Sequence, residues 1–288
     1  MYAEFDLVMP TSLNELTAVV ADTKASEHIL LAGGTVTLID IRSRKEQPEL
    51  VVSLDKIAEL KEIRREGEAI RIGARATVSD ILNSREIAES APSLIEAAKI
   101  FGGQMVRNVA TIGGNIGCGS PAADLVPPLL SLDAEVELVS RSGTRRVDLA
   151  SYFTGYRKDV RRADEIISAV LVPARPADSV NAFYKLARRK GDAITIVGVA
   201  VTVATSGKTC SHARVALGSV SPFPMRARRT EALLEGRQIS AALVEDAAET
   251  AMLECSPIDD VRATASYRSK MVKVLTRRLL LQAFEGSR

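Results

Sequence analysis

The chain has 288 residues, with 38 Lys and Arg against 36 Asp and Glu, three Cys, two His and no Trp. At roughly 100 to 200 residues per domain, this length holds one large domain or two to three smaller ones, and a 46% hydrophobic content excludes disordered, collagen-like and disulfide-scaffold classes. A net charge of +2 lacks the basic excess with which a nucleic-acid binder displaces counterions, so no nucleic-acid partner is expected.

The amino-terminal stretch MYAEFDLVMPTSLNE carries Glu4 and Asp6 where a signal peptide would be basic. The longest apolar runs, such as IVGVAVTVA at 196–204, fall short of the ~18 residues a membrane span needs, so a cytoplasmic protein without a membrane span is expected. Ser12 and Glu15 stand at capping-box spacing ahead of Leu13, Leu16, Val19 and Val20, which predicts a helix from Pro10 to Ser12 onward. HILLAGG reads as a short buried strand, TVTLIDIRSRK as a second helix and ELVVSL as another strand. Residues 1–57 therefore form a small β-α-β-α-β unit with a mostly parallel sheet.

From 58 to 176 the pattern changes. AIRIGARATVSDIL predicts a strand and then a helix starting at Thr77 to Asp80, and APSLIEAAKIF a second amphipathic helix. TIGGNIGCGSPAADLVPPLLSL is rich in Gly and Pro and reads as opening in a loop. AEVELVSRSGTRRVDL is a hairpin turning at Ser142-Gly143, and EIISAVLVP a strand ended by Pro173. From 177 to 288, NAFYKLARR, AITIVGVAVTVAT and CSHARVALGSV read as antiparallel strands with SGK at 206–208 as a connection, followed by helices near 240–254 and 260–284. The expected class is α+β: two α/β parts, 1–57 and 58–176, then an antiparallel sheet with helices over 177–288.

Two glycine-rich segments could carry chemistry. In LAGGTVTL, Gly33 and Gly34 fall between a strand and a helix, where backbone N–H groups can form a concave anion site, although glycine pairs also end strands for structural reasons. In TIGGNIGCGSPAAD, Thr111, Gly113, Gly114, Asn115, Ser120 and Asp124 bring hydroxyls, an amide and a carboxylate beside flexible backbone, which suits a ligand with phosphates and sugar hydroxyls. GCGSPA at 117–122 formally satisfies G-x-G-x-x-A, but it contains Pro121 and lies between no strand and helix, so a Rossmann fingerprint is not expected. Cys118, Cys210 and Cys255 form no C-x-x-C pair and have no His companion, so this chain should hold no metal or iron–sulfur centre of its own. His28 and His212 stand apart from any nucleophile or carboxylate arrangement and read as ordinary surface or strand residues, and no catalytic residue is assigned.

LAGGT before a helix, QMVRNVATIGGN at 104–115, SPAADLVPPLLSLDA at 120–134 and YKLARRKGD at 184–192, in this order, resemble the FAD-binding medium subunit of molybdenum hydroxylases. That family includes carbon monoxide dehydrogenase medium subunits and bacterial xanthine dehydrogenase flavin subunits. The resemblance implies a two-part FAD module of the PCMH or vanillyl-alcohol-oxidase type, followed by a C-terminal domain like that of the carbon monoxide dehydrogenase flavoprotein. It implies that Leu30, Leu31, Ala32, Gly33, Gly34, Thr35, Val36 and Thr37, with Thr111, Ile112, Gly113, Gly114 and Asn115, wrap the FAD pyrophosphate mostly through backbone amides. Phe101 corresponds to an aromatic beside the cofactor, Asp124 to a ribose- or ribityl-binding carboxylate, Ile167 to a backbone contact near the isoalloxazine and Lys185 to a lysine near the flavin.

The implied partners are a small iron–sulfur subunit and a large molybdenum-cofactor subunit that hydroxylates a carbon centre using water. Electrons would pass through the clusters to FAD and on to NAD, a quinone or oxygen. Two departures stand out: Thr35-Val36 where many members have His-Ser, and Ala193 where many have an aromatic, which would leave the ring more open if that aromatic shields it.

Each site residue also has a plainer reading. Phe101 ends an apolar helix face and could pack in a core, Asp124 could cap the helix that follows, and Lys185 could lie on a solvated edge strand. Cys118 reads as small-residue packing. Arg188, Arg189, Arg226, Arg228 and Arg229 read as solvated faces, or as contacts to a partner or an anionic acceptor such as NAD. Two other functions remain open: a stand-alone FAD-dependent oxidoreductase of the same fold, which would want a His or Cys beside the flavin, and a non-catalytic nucleotide-binding protein.

Overall fold

Ser12 starts the first helix, Leu13–Asp22, by accepting the Glu15 N–H at 3.2 Å, and Glu15 reaches back to the Thr11 N–H at 2.7 Å, one residue earlier than a capping box would have it. The computed structural model describes residues 4–24 and 27–286. Leu16 and Val20 on this helix pack over a three-stranded parallel sheet ordered Asp6–Val8, Leu50–Ser53, His28–Leu31. The core they build with Val52, Leu54, Ile57 and Leu60 also takes in Ile166 from the next sheet, so the amino-terminal unit is seated on the middle one.

The middle sheet has five antiparallel strands in the order Ile63–Glu66, Ala69–Gly73, Ile166–Val172, Glu135–Ser140, Gly143–Asp148. Its central strand is buried at every position, which is why IISAVLV runs apolar without alternating, whereas EVELVS alternates, with Val136 and Leu138 inward. The helix Val78–Asn83 begins with a reciprocal box: Thr77 Oγ1 accepts the Asp80 N–H and Asp80 Oδ2 accepts the Thr77 N–H at 2.9 Å.

The third sheet is antiparallel, ordered Val180–Ala187, Thr195–Ser206, Thr209–Gly218, Met225–Arg226. Both faces are covered. Phe183, Ala200 and Ala216 join the middle core, while Val197, Val199, Val201 and Val203 pack under the helices Ala241–Glu254 and Ala265–Gly286. The apolar run at 196–204 is therefore a doubly covered strand, and the fold is the expected α+β class. No helix among the described residues is long and apolar enough to cross a membrane.

Several elements differ from the sequence reading. TIGGN does not lie in a loop: Ile112–Gly117 is a short helix capped by Thr111, whose Oγ1 accepts the Gly114 N–H at 3.0 Å. Its three glycines carry poor helix propensity and hid it. The terminal helix begins at Ala265, not 260, because the Asp260 carboxylate binds the Arg262 and Ala263 N–H groups in a turn. The hairpin turns at Arg141-Ser142, one residue early, with Ser140 paired to Gly143. The helices Arg85–Ser90, Gln104–Arg107 and Arg228–Leu234 were not anticipated, nor were the strands Ile63–Glu66 and Met225–Arg226.

Arg226 is not a solvated face. It is 6% exposed, donates to both oxygens of buried Glu231 and to Asp133 of the middle unit, and Glu231 in turn accepts the Val215 N–H. Arg226→Met leaves Glu231 charged, buried and short of its cation. It should cost about 3–5 kcal/mol of unfolding free energy in urea titrations, the usual cost of removing one member of a buried pair.

Candidate functional site

A cleft of about 600 Å³ opens where the amino-terminal unit meets the middle one, within the ~300–1,000 Å³ range of small-molecule and cofactor sites. One wall is the carboxyl end of the parallel strand His28–Leu31 and the turn after it. At that turn Gly33 packs so closely on the next unit that a Cβ would lie 1.9 Å from the Val109 carbonyl oxygen. Gly34 then adopts φ +68°, a conformation that glycine enters without penalty, and its carbonyl accepts the Leu38 N–H at 3.1 Å as the helix Thr37–Arg42 begins. Among the described residues, the backbone N–H groups of Gly33, Gly34, Thr35, Val36 and Thr37 find no protein acceptor. Five donors around one turn lining a cleft make a concave, electropositive surface for an anion.

The facing wall is built differently. Gly113 is packed against Ala74, whose carbonyl oxygen would lie 2.8 Å from a Cβ, while an exposed Gly114 has only Thr111 Oγ1 in reach, at 2.9 Å. The N–H groups here are already used: Ile112 donates to Ala76, Gly113 to Ala74, Gly114 to Thr111 Oγ1 and Asn115 to the Thr111 carbonyl. Asn115 Oδ1 accepts the Leu125 N–H at 3.1 Å, which leaves its amide NH₂ as a donor. This wall offers a low profile, a hydroxyl and one side-chain amide where the sequence reading expected a second set of backbone amides.

Of the predicted site residues, Leu30, Ala32, Gly33, Gly34, Thr35, Val36, Thr37, Phe101, Thr111, Gly113, Gly114, Asn115 and Ile167 line this one cleft. Phe101 also packs on the middle core, as its plainer reading expected. Ile167 is at a register shift in the central strand, a bulge that sets its side chain near Gly117. Leu31, Ile112, Asp124 and Lys185 do not line the cleft. Leu31 serves the sheet, its carbonyl accepting the Leu54 N–H, and Ile112 is fully buried in the middle core.

Asp124 and Lys185 meet each other. Lys185 Nζ lies 2.6 Å from Asp124 Oδ2 and 3.4 Å from the Ile100 carbonyl, next to Phe101, and the Thr195 hydroxyl donates to the other Asp124 oxygen. The helix Val126–Ser131 has no side-chain cap, so Asp124 does not cap it, and the Lys185 side chain is 5% exposed despite lying on an edge strand. Burial pushes the Asp124 carboxyl above its ordinary range, against the pull of the Lys185 ammonium and the Thr195 hydroxyl.

The structure adds residues that the sequence reading passed over. Arg157, Arg161 and Arg162 line the cleft from one segment, with Asp40 and Glu46 from the amino-terminal unit, and the charge run RKDVRR was the available signal. His28 also lines it, its Nδ1 3.1 Å from the Lys24 carbonyl. Cys118 is at the wall with its thiol donating to the Asn115 carbonyl, and burial pushes its pKa up, which keeps it protonated and unreactive. No group of acidic, His and Cys residues among those described could hold a metal ion.

Free amides at a tight turn, facing a low-profile wall with one hydroxyl and one side-chain amide, define a protein that binds a phosphate-bearing cofactor. Known proteins identify the cofactor. The family described as the FAD binding domain in molybdopterin dehydrogenase matches residues 3–175, and the CO dehydrogenase flavoprotein C-terminal domain matches 182–283. The nicotinate dehydrogenase FAD-subunit of Eubacterium barkeri is 34% identical, covering 98% of both chains, and the carbon monoxide dehydrogenase medium chain of Hydrogenophaga pseudoflava is 33% identical over 97% of both. Among solved structures, carbon monoxide dehydrogenase from Hydrogenophaga pseudoflava superposes with a TM-score of 0.95 at 33% identity, covering 99% of both chains. Quinoline 2-oxidoreductase from Pseudomonas putida 86 superposes at 0.92 and 28% identity, covering 100% of this chain and 99% of that one. The chain belongs to the family of FAD-binding medium subunits of molybdenum hydroxylases. It is a flavoprotein subunit of an oxidoreductase, and FAD is its cofactor.

The two glycines of the TIGGN segment should separate folding from binding. Gly114→Val faces one hydroxyl and should purify folded but colourless. Gly113→Val drives a side chain into Ala74 backbone and should lower the melting temperature or yield no soluble protein. Circular dichroism melts and the flavin absorbance of each variant check both outcomes.

Proposed function

We propose that this chain holds FAD along the cleft and serves as the electron-transfer subunit between a small iron–sulfur subunit and an external acceptor, within an enzyme whose large subunit carries the molybdenum cofactor. The observation that carries the reading is the row of five unpartnered N–H groups from Gly33 to Thr37 at the wall of a cofactor-sized cleft. These amides, with the Thr111 hydroxyl and the Asn115 amide opposite, would hold the pyrophosphate. Phe101 and Ile167 would flank the ring system, with the Asp124–Lys185 pair behind Ile100.

When bound, FAD supplies the chemistry of taking up electrons from the partner's clusters and releasing them to NAD, a quinone or oxygen, and the protein's part is to bind, orient and tune it. The side chains fit that division. Cys118 is kept a neutral thiol by burial and His28 is at the strand end of the cleft, so neither supplies the positioned base or nucleophile that a self-contained oxidase would want. The segment bearing Ala193 passes the Phe101 end of the cleft, where the Asp192 carboxylate lies 2.8 Å from a Cβ built on Gly103. A short side chain at 193 would leave that end open to an acceptor. The division into 1–57, 58–176 and 177–288 is part of the same proposal; three hydrophobic cores centred on the three parts support it, although Ile166 is shared across the first boundary and Phe183, Ala200 and Ala216 across the second. So is a cytoplasmic location.

Tagged chain expressed in its native host should purify yellow and bring down an iron–sulfur subunit and a molybdenum subunit. Recovery as a lone, catalytically competent flavoprotein would overturn the subunit reading. A colourless protein that takes up no FAD on titration would overturn the flavin reading.

A further inference from the structure

Of the three arginines lining the cleft, only Arg161 has its guanidinium satisfied among the described residues; Arg157 and Arg162 each have only a long ion pair, at 3.6 and 3.9 Å, and Arg157 is the one whose backbone position is tightly fixed. Arg161 is bound through both ends of its guanidinium to Asp159, at 3.0 and 2.9 Å. Glu165, beside Arg162, already takes a two-pronged bond from Arg145 at 2.6 and 2.7 Å and the Arg162 N–H at 2.7 Å. The Arg157 guanidinium makes no hydrogen bond among the described residues. It is exposed, 3.6 Å from Asp40 Oδ2 and 6.0 Å from the Tyr156 ring.

Asp40 does not complete the pairing. Its side chain is 11% exposed and accepts no hydrogen bond among the described residues, and Lys45 stands 3.7 Å from its other oxygen. Two cations share this one carboxylate at the cleft wall, next to the helix that begins at the unpartnered amides of Gly33–Thr37. The position of Arg157 is built. It is in the turn of the hairpin Phe153–Gly155 and Lys158–Asp159, at φ +53°, and its backbone is so close to Gly119 that a Cβ there would come within 2.8 Å of the Arg157 Cα. A non-glycine residue in the left-handed region, with a glycine cleared to admit it, fixes where the guanidinium begins.

We infer that Arg157 is a further cofactor-binding residue, whose planar fork engages the diphosphate beside the Gly33–Thr37 amides while Asp40 keeps it at the wall. The assignment rests on the reading of this cleft as the FAD site. Guanidinium and phosphate form two parallel charge-assisted hydrogen bonds, which a lysine reproduces only as a point charge.

The experiment is a titration of flavin-free full-length chain, followed by flavin fluorescence, with FAD and with riboflavin, which has the same ring but no phosphate. Arg157→Gln should weaken FAD binding by about tenfold or more and flatten its dependence on salt, while riboflavin binding stays as in wild type. Arg157→Lys should recover part of the loss. The left-handed turn costs the same in all three proteins, so the comparison isolates the charge. Equal loss for FAD and riboflavin would make Arg157 a structural residue, and an unchanged FAD affinity would remove it from the site. Either result overturns the assignment while wild-type binding keeps the flavin reading standing. A wild-type chain that binds no FAD would overturn both.

Discussion

The approach of Gly33 to the Val109 carbonyl is the contact on which the cleft depends. With no room for even a methyl group there, the end of the amino-terminal parallel strand is pressed onto the Val109–Ala110 backbone, and Ala110 is itself tied to the middle unit through the Val78 N–H. Gly113 does the same from the other direction against Ala74. In each glycine pair, then, one member permits close packing between segments far apart in sequence, and the other faces the cleft: Gly34 by its positive φ, Gly114 by its missing side chain. A glycine pair read only as a phosphate cradle misses half of its work, because without the packing glycine there is no second wall for the cradle to face.

The two walls supply different chemistry for a shared reason. Amides after a parallel strand can remain free because the chain is turning into a helix whose first N–H groups have no partner within it. Amides of the TIGGN segment cannot, because that segment is buried against Ala74 and Ala76, and a buried N–H left unpaired would cost about 1–3 kcal/mol. Packing demands satisfaction on one side of the cleft, and exposure releases the other. On the proposed reading, a chain of net charge +2 can face a phosphate-rich ligand because oriented backbone dipoles share the work that a basic patch would do elsewhere.

The third sheet enters the site through polar contacts. Lys185 and Thr195 both reach Asp124 of the middle unit, and Lys185 extends to the Ile100 carbonyl beside Phe101. A buried ion pair loses about as much in desolvation as it gains in attraction, so this one is poorly explained as a source of stability. It is better explained by place. A carboxylate held between an ammonium and a hydroxyl, one residue behind the aromatic end of the cleft, is a fixed arrangement of charge that mobile water could not supply.

Much of this was legible in the sequence where one physical rule acts alone. The capping residues at Ser12 and Thr77, the unbroken apolar strand at 166–172 and the alternating one at 135–140 each follow from a single local period. The failures come where two rules compete. Ile112–Gly117 is helical against its glycine content because Thr111 caps it and Ala74 and Ala76 accept its leading N–H groups, partners far back in the chain. Asp124 had the sequence context of a helix cap, and only a lysine 61 residues onward shows why it is buried. In RKDVRR the arginines look alike on paper, yet Asp159 satisfies Arg161 from two residues away while Arg157 has turned left-handed and faces Asp40 from another unit. Whether an arginine is free to bind depends on whether a carboxylate already completes its fork, and local sequence records only those carboxylates that happen to be neighbours.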